Sequence, residues 1–163
     1  MIVVLMGASG CGKTTIGRLL AKRLDCEFID ADNFHPPANV ARMAAGIALE
    51  DADRWPWLER LNAELRRREL RAVRAVLACS ALRQTYRDRL MAGLARCKLV
   101  YLRASAELLH ERLAGRRHRY MPASLLASQL ATLEPPAHAI EIDAAQPPER
   151  CVELIAAAID AGP

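Results

Sequence analysis

The sequence predicts a three-layer α/β/α fold around a five-stranded parallel sheet, and three observations carry that expectation. Short apolar runs alternate with amphipathic stretches of helical period, the pattern of βα units whose right-handed crossovers put helices on both faces of a sheet. The first run, Ile2 to Met6, leads directly into Gly7-Ala8-Ser9-Gly10-Cys11-Gly12-Lys13-Thr14. That octet fits G-x-x-x-x-G-K-[ST], the phosphate-binding P-loop, in the strand–loop–helix setting its chemistry requires. No repeat or linker interrupts the alternation, so residues 1–163 read as a single domain.

Each element has a local reason. Ile2 to Met6 carries no charge and reads as a buried strand, and Thr14 to Leu24 reads as an amphipathic helix. Glu27-Phe28-Ile29-Asp30 is a short strand ending in carboxylates. Pro36 and Pro37 open a helix running to about Ala45, and Gly46 closes it. Asp51 or Asp53 caps a longer helix through Leu70, with Pro56 tolerated in its first turn. Ala72 to Cys79 is a buried parallel strand ended by Ser80, and a helix follows to about Ala92. Lys98 to Leu102 is the next strand, and Ser105 caps a helix from Ala106 to about Ala114. Gly115 to Pro122 is basic, led by glycine and stopped by proline, which predicts an exposed, mobile connection. A helix over Ala123 to Leu133 ends at Pro135-Pro136. Ala139 to Ile142 is the last strand, and Pro147-Pro148 begins a closing helix through Ile159.

Composition narrows the function classes. Hydrophobic content of 52% and charged content of 26% suit a globular protein and exclude disorder. The net charge of +4 is spread along the chain, which suits a small anionic substrate and does not by itself argue for nucleic acid. Arg66-Arg67-Arg68 reads as a solvated helix face. The 5 cysteines, Cys11, Cys26, Cys79, Cys97 and Cys151, form no C-x-x-C pair, so reduced thiols in a cytoplasmic protein are expected. No signal-peptide pattern and no apolar stretch long enough to span a bilayer occurs, so neither a membrane nor a nucleic acid is expected as partner.

The chemistry collects where a parallel sheet offers it, at the carboxyl ends of the strands. Gly7, Ala8, Ser9, Gly10, Cys11, Gly12, Lys13, Thr14 and Thr15 form the expected nucleotide cradle. Its N–H groups and helix dipole face the phosphates, Lys13 reaches the outer ones, and the Thr14 hydroxyl can ligate Mg²⁺. The second strand delivers Asp30 and Asp32. One would hold Mg²⁺ through water and the other would accept a proton from a hydroxyl substrate, with a solvated turn or a helix cap as the alternative. The third strand delivers Cys79-Ser80, and the fourth Arg103. No acidic residue lies in Ala72 to Ser80, where motor-type and GTPase-type P-loop proteins usually keep a magnesium carboxylate.

Beyond the loop, the residues become more specific. Phe28-Ile29-Asp30-Ala31-Asp32, His35-Pro36, Asn39 and Met43 resemble the gluconokinase family of small P-loop sugar-acid kinases. So do Leu49 to Leu58 (LEDADRWPWL), Cys79-Ser80-Ala81-Leu82-Arg83 with Tyr86-Arg87-Asp88, and Ser128-Gln129 with Thr132 to Pro136. Gln146-Pro147 adds a weaker block. The resemblance implies a nucleoside-monophosphate-kinase or shikimate-kinase-like fold, a lid over about 112–122, and ATP- and Mg²⁺-dependent phosphorylation of D-gluconate. It also suggests a homodimer.

In that reading Lys13, Asp32 and Arg116 are catalytic, with Asp32 the base for the 6-hydroxyl. Thr14 and Asp30 serve the metal, and Arg112 and Arg116 bring charge onto the phosphates as the lid shuts. Asp32, His35, Arg54, Ser80, Arg83 and Arg87 are the substrate candidates. The carboxylate needs a cation, and bidentate geometry favours an arginine among Arg54, Arg83 and Arg87. Surface ion pairing is the alternative for each arginine, and a cap or packing role the alternative for His35. Trp55 and Trp57 are expected as core anchors. The chain departs from the family pattern in the lid, where Arg119 stands at the usual histidine with His118 one residue early. It departs again at Leu130-Ala131 and in a shorter loop after Pro136. Another hydroxy acid such as shikimate, or nucleotide binding with reduced turnover, remains open.

Overall fold

The computed structural model describes residues 1–114 and 123–161. Five strands, β1 (Ile2–Met6), β2 (Glu27–Asp30), β3 (Ala75–Ala78), β4 (Cys97–Arg103) and β5 (Ile140–Asp143), form one sheet in the order β2-β3-β1-β4-β5. All four pairings are parallel, with Val4 opposite Leu77 on one side and Leu99 on the other. The carboxyl ends of the strands therefore share one edge of the sheet, and the strand carrying the glycine loop lies at its centre.

Seven helices complete the described fold: α1 (Lys13–Arg23), α2 (Pro37–Ala44), α3 (Asp51–Leu70), α4 (Gln84–Met91), α5 (Ala106–Ala114), α6 (Ala123–Thr132) and α7 (Pro148–Asp160). The period-2 alternation of β1 sorts them into layers. Val3 and Leu5 face Ile16 and Leu20 of α1, Leu109 of α5, Leu126 of α6 and Ile155 of α7. Ile2, Val4 and Met6 face Trp57, Leu58, Leu61 and Leu65 of α3 and Leu90 of α4. These strand residues are fully buried on both faces, which is why a parallel sheet reads as uninterrupted apolar runs. The three-layer expectation holds.

Three local readings are corrected. β3 is shorter than Ala72 to Cys79 because Ala72 takes a left-handed turn at φ 56 and the ladder begins at Ala75. The N-cap of α3 is Glu50. Asp53 sits one turn inside, where its carboxylate accepts the Glu50 N–H at 2.9 Å, the reciprocal half of a capping box. Pro56 lies past the first turn, and the N–H it lacks would have paired with the Ala52 carbonyl. Between β2 and α2 the chain makes a 3₁₀ turn, Ala31–Phe34, which the residue pattern did not signal. No described helix is long and apolar enough to cross a membrane.

Candidate active site

Glycine geometry shapes the loop after β1. Gly7 has φ +147, and a Cβ there would stand 2.8 Å from both Cys11 Sγ and the Leu102 carbonyl oxygen. Gly12, at φ +100, turns the chain into α1 in a left-handed conformation that L side chains rarely adopt. The result is a cradle of backbone donors. The N–H groups of Gly10, Gly12, Lys13 and Thr14 have no partner among the described residues. Lys13 folds over the same loop, its Nζ donating to the carbonyls of Gly7 at 2.9 Å and Ala8 at 3.0 Å. Ser9 is different, since its N–H donates to Gln129 Oε1 of α6 at 2.7 Å.

β2 lies at the sheet's edge, with β3 between it and β1. Asp30 nevertheless meets the loop, because Thr14 Oγ1 donates to its Oδ2 at 3.2 Å. Its Oδ1 accepts the Asp32 N–H at 3.2 Å and so opens the 3₁₀ turn. Asp32 is open to solvent just past the carboxyl end of β2. The protein around it and the Asp30 charge raise its carboxyl pKa above the ordinary value, against the pull of Lys13.

The opposite wall is built by α3 and α4. Trp57 is buried and donates from Nε1 to the Ala31 carbonyl at 2.8 Å, holding the 3₁₀ turn against α3. The His35 ring stacks on Trp57 with centroids 4.2 Å apart, and its Nδ1 is buried without a partner among the described residues. Burial, with the Arg54 charge nearby, lowers its pKa to about 4, so the ring is neutral near pH 7. His35 thus packs against Trp57 as a neutral imidazole whose Nδ1 is left without a partner among the described residues.

The three candidate arginines have separate fates. Arg87 is buried, and its Nη1 donates to the carbonyls of Ala81 at 3.1 Å and Leu82 at 3.0 Å. Its Nε and Nη2 both donate to Gln84 Oε1. That commitment leaves no guanidinium nitrogen of Arg87 unpartnered and argues against its expected place among the substrate candidates. Arg87 pins the loop after β3, in which Ala81 sits at φ 42. Arg83 pairs with Asp51 at 3.1 Å, and the Tyr86 hydroxyl donates to the same carboxylate at 2.5 Å. Arg54 lies over the Tyr86 ring at 5.4 Å, has no carboxylate partner among the described residues, and keeps a buried Nε without a partner. Ser80 is half-buried, and its carbonyl accepts the Gly7 N–H at 3.4 Å, joining the loop after β3 to the phosphate loop.

Other expectations meet mixed outcomes. Arg103 forms an exposed ion pair with Glu141 at 2.7 Å, and Arg112 donates to the Ala144 carbonyl at 2.8 Å. Trp57 is a core anchor as expected, while Trp55 is half-buried, edge-on to Tyr86 at 5.6 Å. Arg116, Arg119 and the lid segment at 115–122 lie outside the described residues. Sequence reasoning treated Asp51 only as a cap, although it is the hub that orients Arg83 and Tyr86. The Asp-x-Asp at the helix start was the available signal, because a single N3 carboxylate suffices for the box.

A parallel sheet with a glycine-shaped amide cradle on its central strand, and acids and arginines gathered at the same edge, defines a P-loop kinase. A family model described as an AAA domain matches residues 2–136. A gluconokinase of Gluconobacter oxydans is 47% identical over 134 residues, covering 82% of this chain and 75% of that one. The crystal structure of a gluconokinase from Sinorhizobium meliloti 1021 matches with a TM-score of 0.85 at 38% identity, covering 98% of this chain and 91% of that one. A sugar kinase from Janibacter sp. HTCC2649 reaches a TM-score of 0.92 at 44% identity, covering 99% and 95%. A shikimate kinase from Aquifex aeolicus, at 20% identity and a TM-score of 0.61, shares the fold alone. The chain belongs to the gluconokinase family.

Proposed function

We propose that this protein transfers the γ-phosphoryl group of ATP to the 6-hydroxyl of D-gluconate, releasing ADP and 6-phospho-D-gluconate. One observation supports the reading: an unpartnered amide cradle with Lys13, and an arginine without a carboxylate partner, Arg54, both lie near enough to Cys79 at the carboxyl end of β3 to act on its thiol. The cradle suits the phosphates of a nucleotide, and Arg54 suits the carboxylate of a sugar acid. The open amides, with Lys13 beside them, suit the charge of a polyphosphate. Thr14 Oγ1 and Asp30 Oδ2 form an oxygen pair of the kind that would hold Mg²⁺. When bound, the cation would neutralise charge on the outer phosphates.

In the proposed step the gluconate O6 attacks the γ-phosphorus. The O6–P bond forms as the bond to the β–γ bridging oxygen breaks, and ADP carries away that electron pair. Asp32 accepts the O6 proton. Its raised pKa makes it a stronger base than an ordinary carboxylate, provided it is ionised at the working pH. Lys13 swings from the Gly7 and Ala8 carbonyls onto the γ-phosphoryl oxygens. Arg54 holds the far carboxylate, the neutral His35 ring accepts or donates to a hydroxyl, and Arg83 with Tyr86 and Asp51 frames the pocket. Arg112 and Arg116 are proposed to act from the lid, and Ser80 from the loop after β3. Free cysteines together with ATP use support a cytoplasmic location, and the family resemblance suggests a homodimer.

ADP release coupled to identification of the phosphorylated product, across gluconate, other sugar acids and shikimate, tests the reading. Gluconate is expected to give the highest kcat/KM, with phosphate on O6. A shikimate rate equal to it, or acceptor-independent ADP release alone, would overturn the assignment.

A further inference from the structure

α6 makes two polar contacts that neither binding wall explains. At its middle, Gln129 Oε1 takes the Ser9 N–H of the phosphate loop at 2.7 Å, across 120 residues of sequence. Just past its end, Glu134 Oε2 takes the Gln84 N–H at 2.6 Å, and the Glu134 N–H donates to the Leu82 carbonyl at 2.9 Å. Gln84 begins α4, and Leu82 lies in the loop after β3 that Arg87 pins from beneath. The two segments held this way therefore leave the carboxyl ends of β1 and β3, which pair directly in the sheet. Leu125 and Leu126 are buried and root α6 in the core, and the Leu133 N–H donates to the Gln129 carbonyl at 2.9 Å, so the two contacts share one rigid run of chain.

We infer that Gln129 and Glu134 are positioning residues, the two ends of a strap that sets the spacing between the phosphate loop and the acceptor-side loop. The inference rests on the phosphotransfer reading above. In-line transfer needs reacting atoms about 3–3.5 Å apart, and a misplacement of about 1 Å costs on the order of 100-fold in rate. The N–H groups of Gly10, Gly12, Lys13 and Thr14 are left for phosphate, whereas that of Ser9 is given to α6. Ser9 is thus a fixed point of the loop rather than one of its ligating donors. The strap touches neither reactant, so its loss alters alignment more than binding.

The test uses the full chain with Gln129→Met, which keeps length and removes the acceptor oxygen, together with Glu134→Met and Glu134→Gln. Glu134 is exposed, so its variants leave the core undisturbed. The readouts are kcat, KM for ATP, KM for gluconate, and the fraction of ADP formed without phosphorylated product. Both Met variants are expected to lower kcat about tenfold, keep each KM within about threefold of wild type, and raise the unproductive fraction. Glu134→Gln, which retains an acceptor oxygen for the Gln84 N–H, is expected to restore coupling. A rise in the ATP KM at unchanged kcat would make Gln129 a nucleotide ligand and overturn the strap. So would a lower unfolding temperature with unchanged coupling and no rescue by Glu134→Gln. A wild-type chain that phosphorylates no sugar acid would instead overturn the functional reading itself.

Discussion

The two walls of the cleft are built from different material. The nucleotide wall, from Gly7 to Thr14, is main chain: glycine conformations aim amide donors inward, and one lysine supplies the charge. The acceptor wall is side chain: Trp57, His35, Tyr86, Asp51 and three arginines gather from α3, α4 and the turn after β2. A wall of amides recognises a phosphate that every nucleoside triphosphate carries. A wall of side chains recognises one arrangement of hydroxyls and carboxylate, and can change by substitution without disturbing the first. Within it, groups of equal charge divide between full commitment to the protein and an unpartnered nitrogen, as Arg87 and Arg54 do.

The largest effect is expected on the nucleotide wall. Lys13→Ala should lower kcat/KM by about 10²–10³-fold while the unfolding temperature stays near wild type, since a preorganised charge is lost and no packing. Near-normal steady-state rates would break the assignment. Gly7→Ala comes next and acts through the backbone. The added Cβ meets a carbonyl and a sulfur at 2.8 Å, so a loss of about 2 kcal/mol in stability is expected together with weakened nucleotide binding. Calorimetry of the apo protein and titration with an ATP analogue check both parts.

Arg87→Met sharpens the contrast from the other side. It leaves the Ala81 carbonyl without its Arg87 donor and the Leu82 carbonyl with the Glu134 N–H alone, so thermal unfolding should show a loss of about 1–3 kcal/mol. The gluconate KM should change less than about threefold. A KM effect much larger than the stability effect would return Arg87 to the substrate.

The smallest expected change is in pH dependence. The Asp32 carboxyl is raised by the protein crowded around it and by Asp30, so the acid limb of kcat/KM should lie above the usual carboxylate range. Asp30→Asn removes the like charge and should move that limb to lower pH, together with a higher Mg²⁺ requirement. An unmoved limb would separate Asp32 from proton transfer. His35 contributes in the opposite sense to stability. Its folded pKa of about 4 lies below the unfolded value of 6.5, so protons bind the unfolded chain preferentially between the two. Stability should therefore fall as pH drops from 6.5 toward 4, and His35→Gln should flatten that slope in a thermal melt.

The same contrast explains what could be read from the chain. The nucleotide wall was legible because its determinants are contiguous: eight residues, a strand before and a helix after. β2 was found to the residue, since a four-residue run ending in Asp30 has local boundaries. The acceptor wall was legible only as a set of candidates. Choosing Arg54 over Arg87 needs to know which guanidinium has every nitrogen committed within the protein, and that depends on how α4 lies against the loop after β3. Asp51 looked like a cap because capping is local, while its bond to Tyr86 spans 35 residues. The Gln129 contact with Ser9 had no local trace at all, although Ser128-Gln129 stood within a family block.

The division of the cleft into two walls is tested most directly by titrating one protein, Arg54→Met, calorimetrically with a non-hydrolysable ATP analogue and separately with gluconate. The nucleotide analogue should bind within about threefold of wild type. Gluconate binding should weaken by about 100-fold, the scale of losing a charged, bidentate partner. Wild-type affinity for gluconate, or equal losses for both ligands, would contradict the separation of a main-chain nucleotide wall from a side-chain acceptor wall.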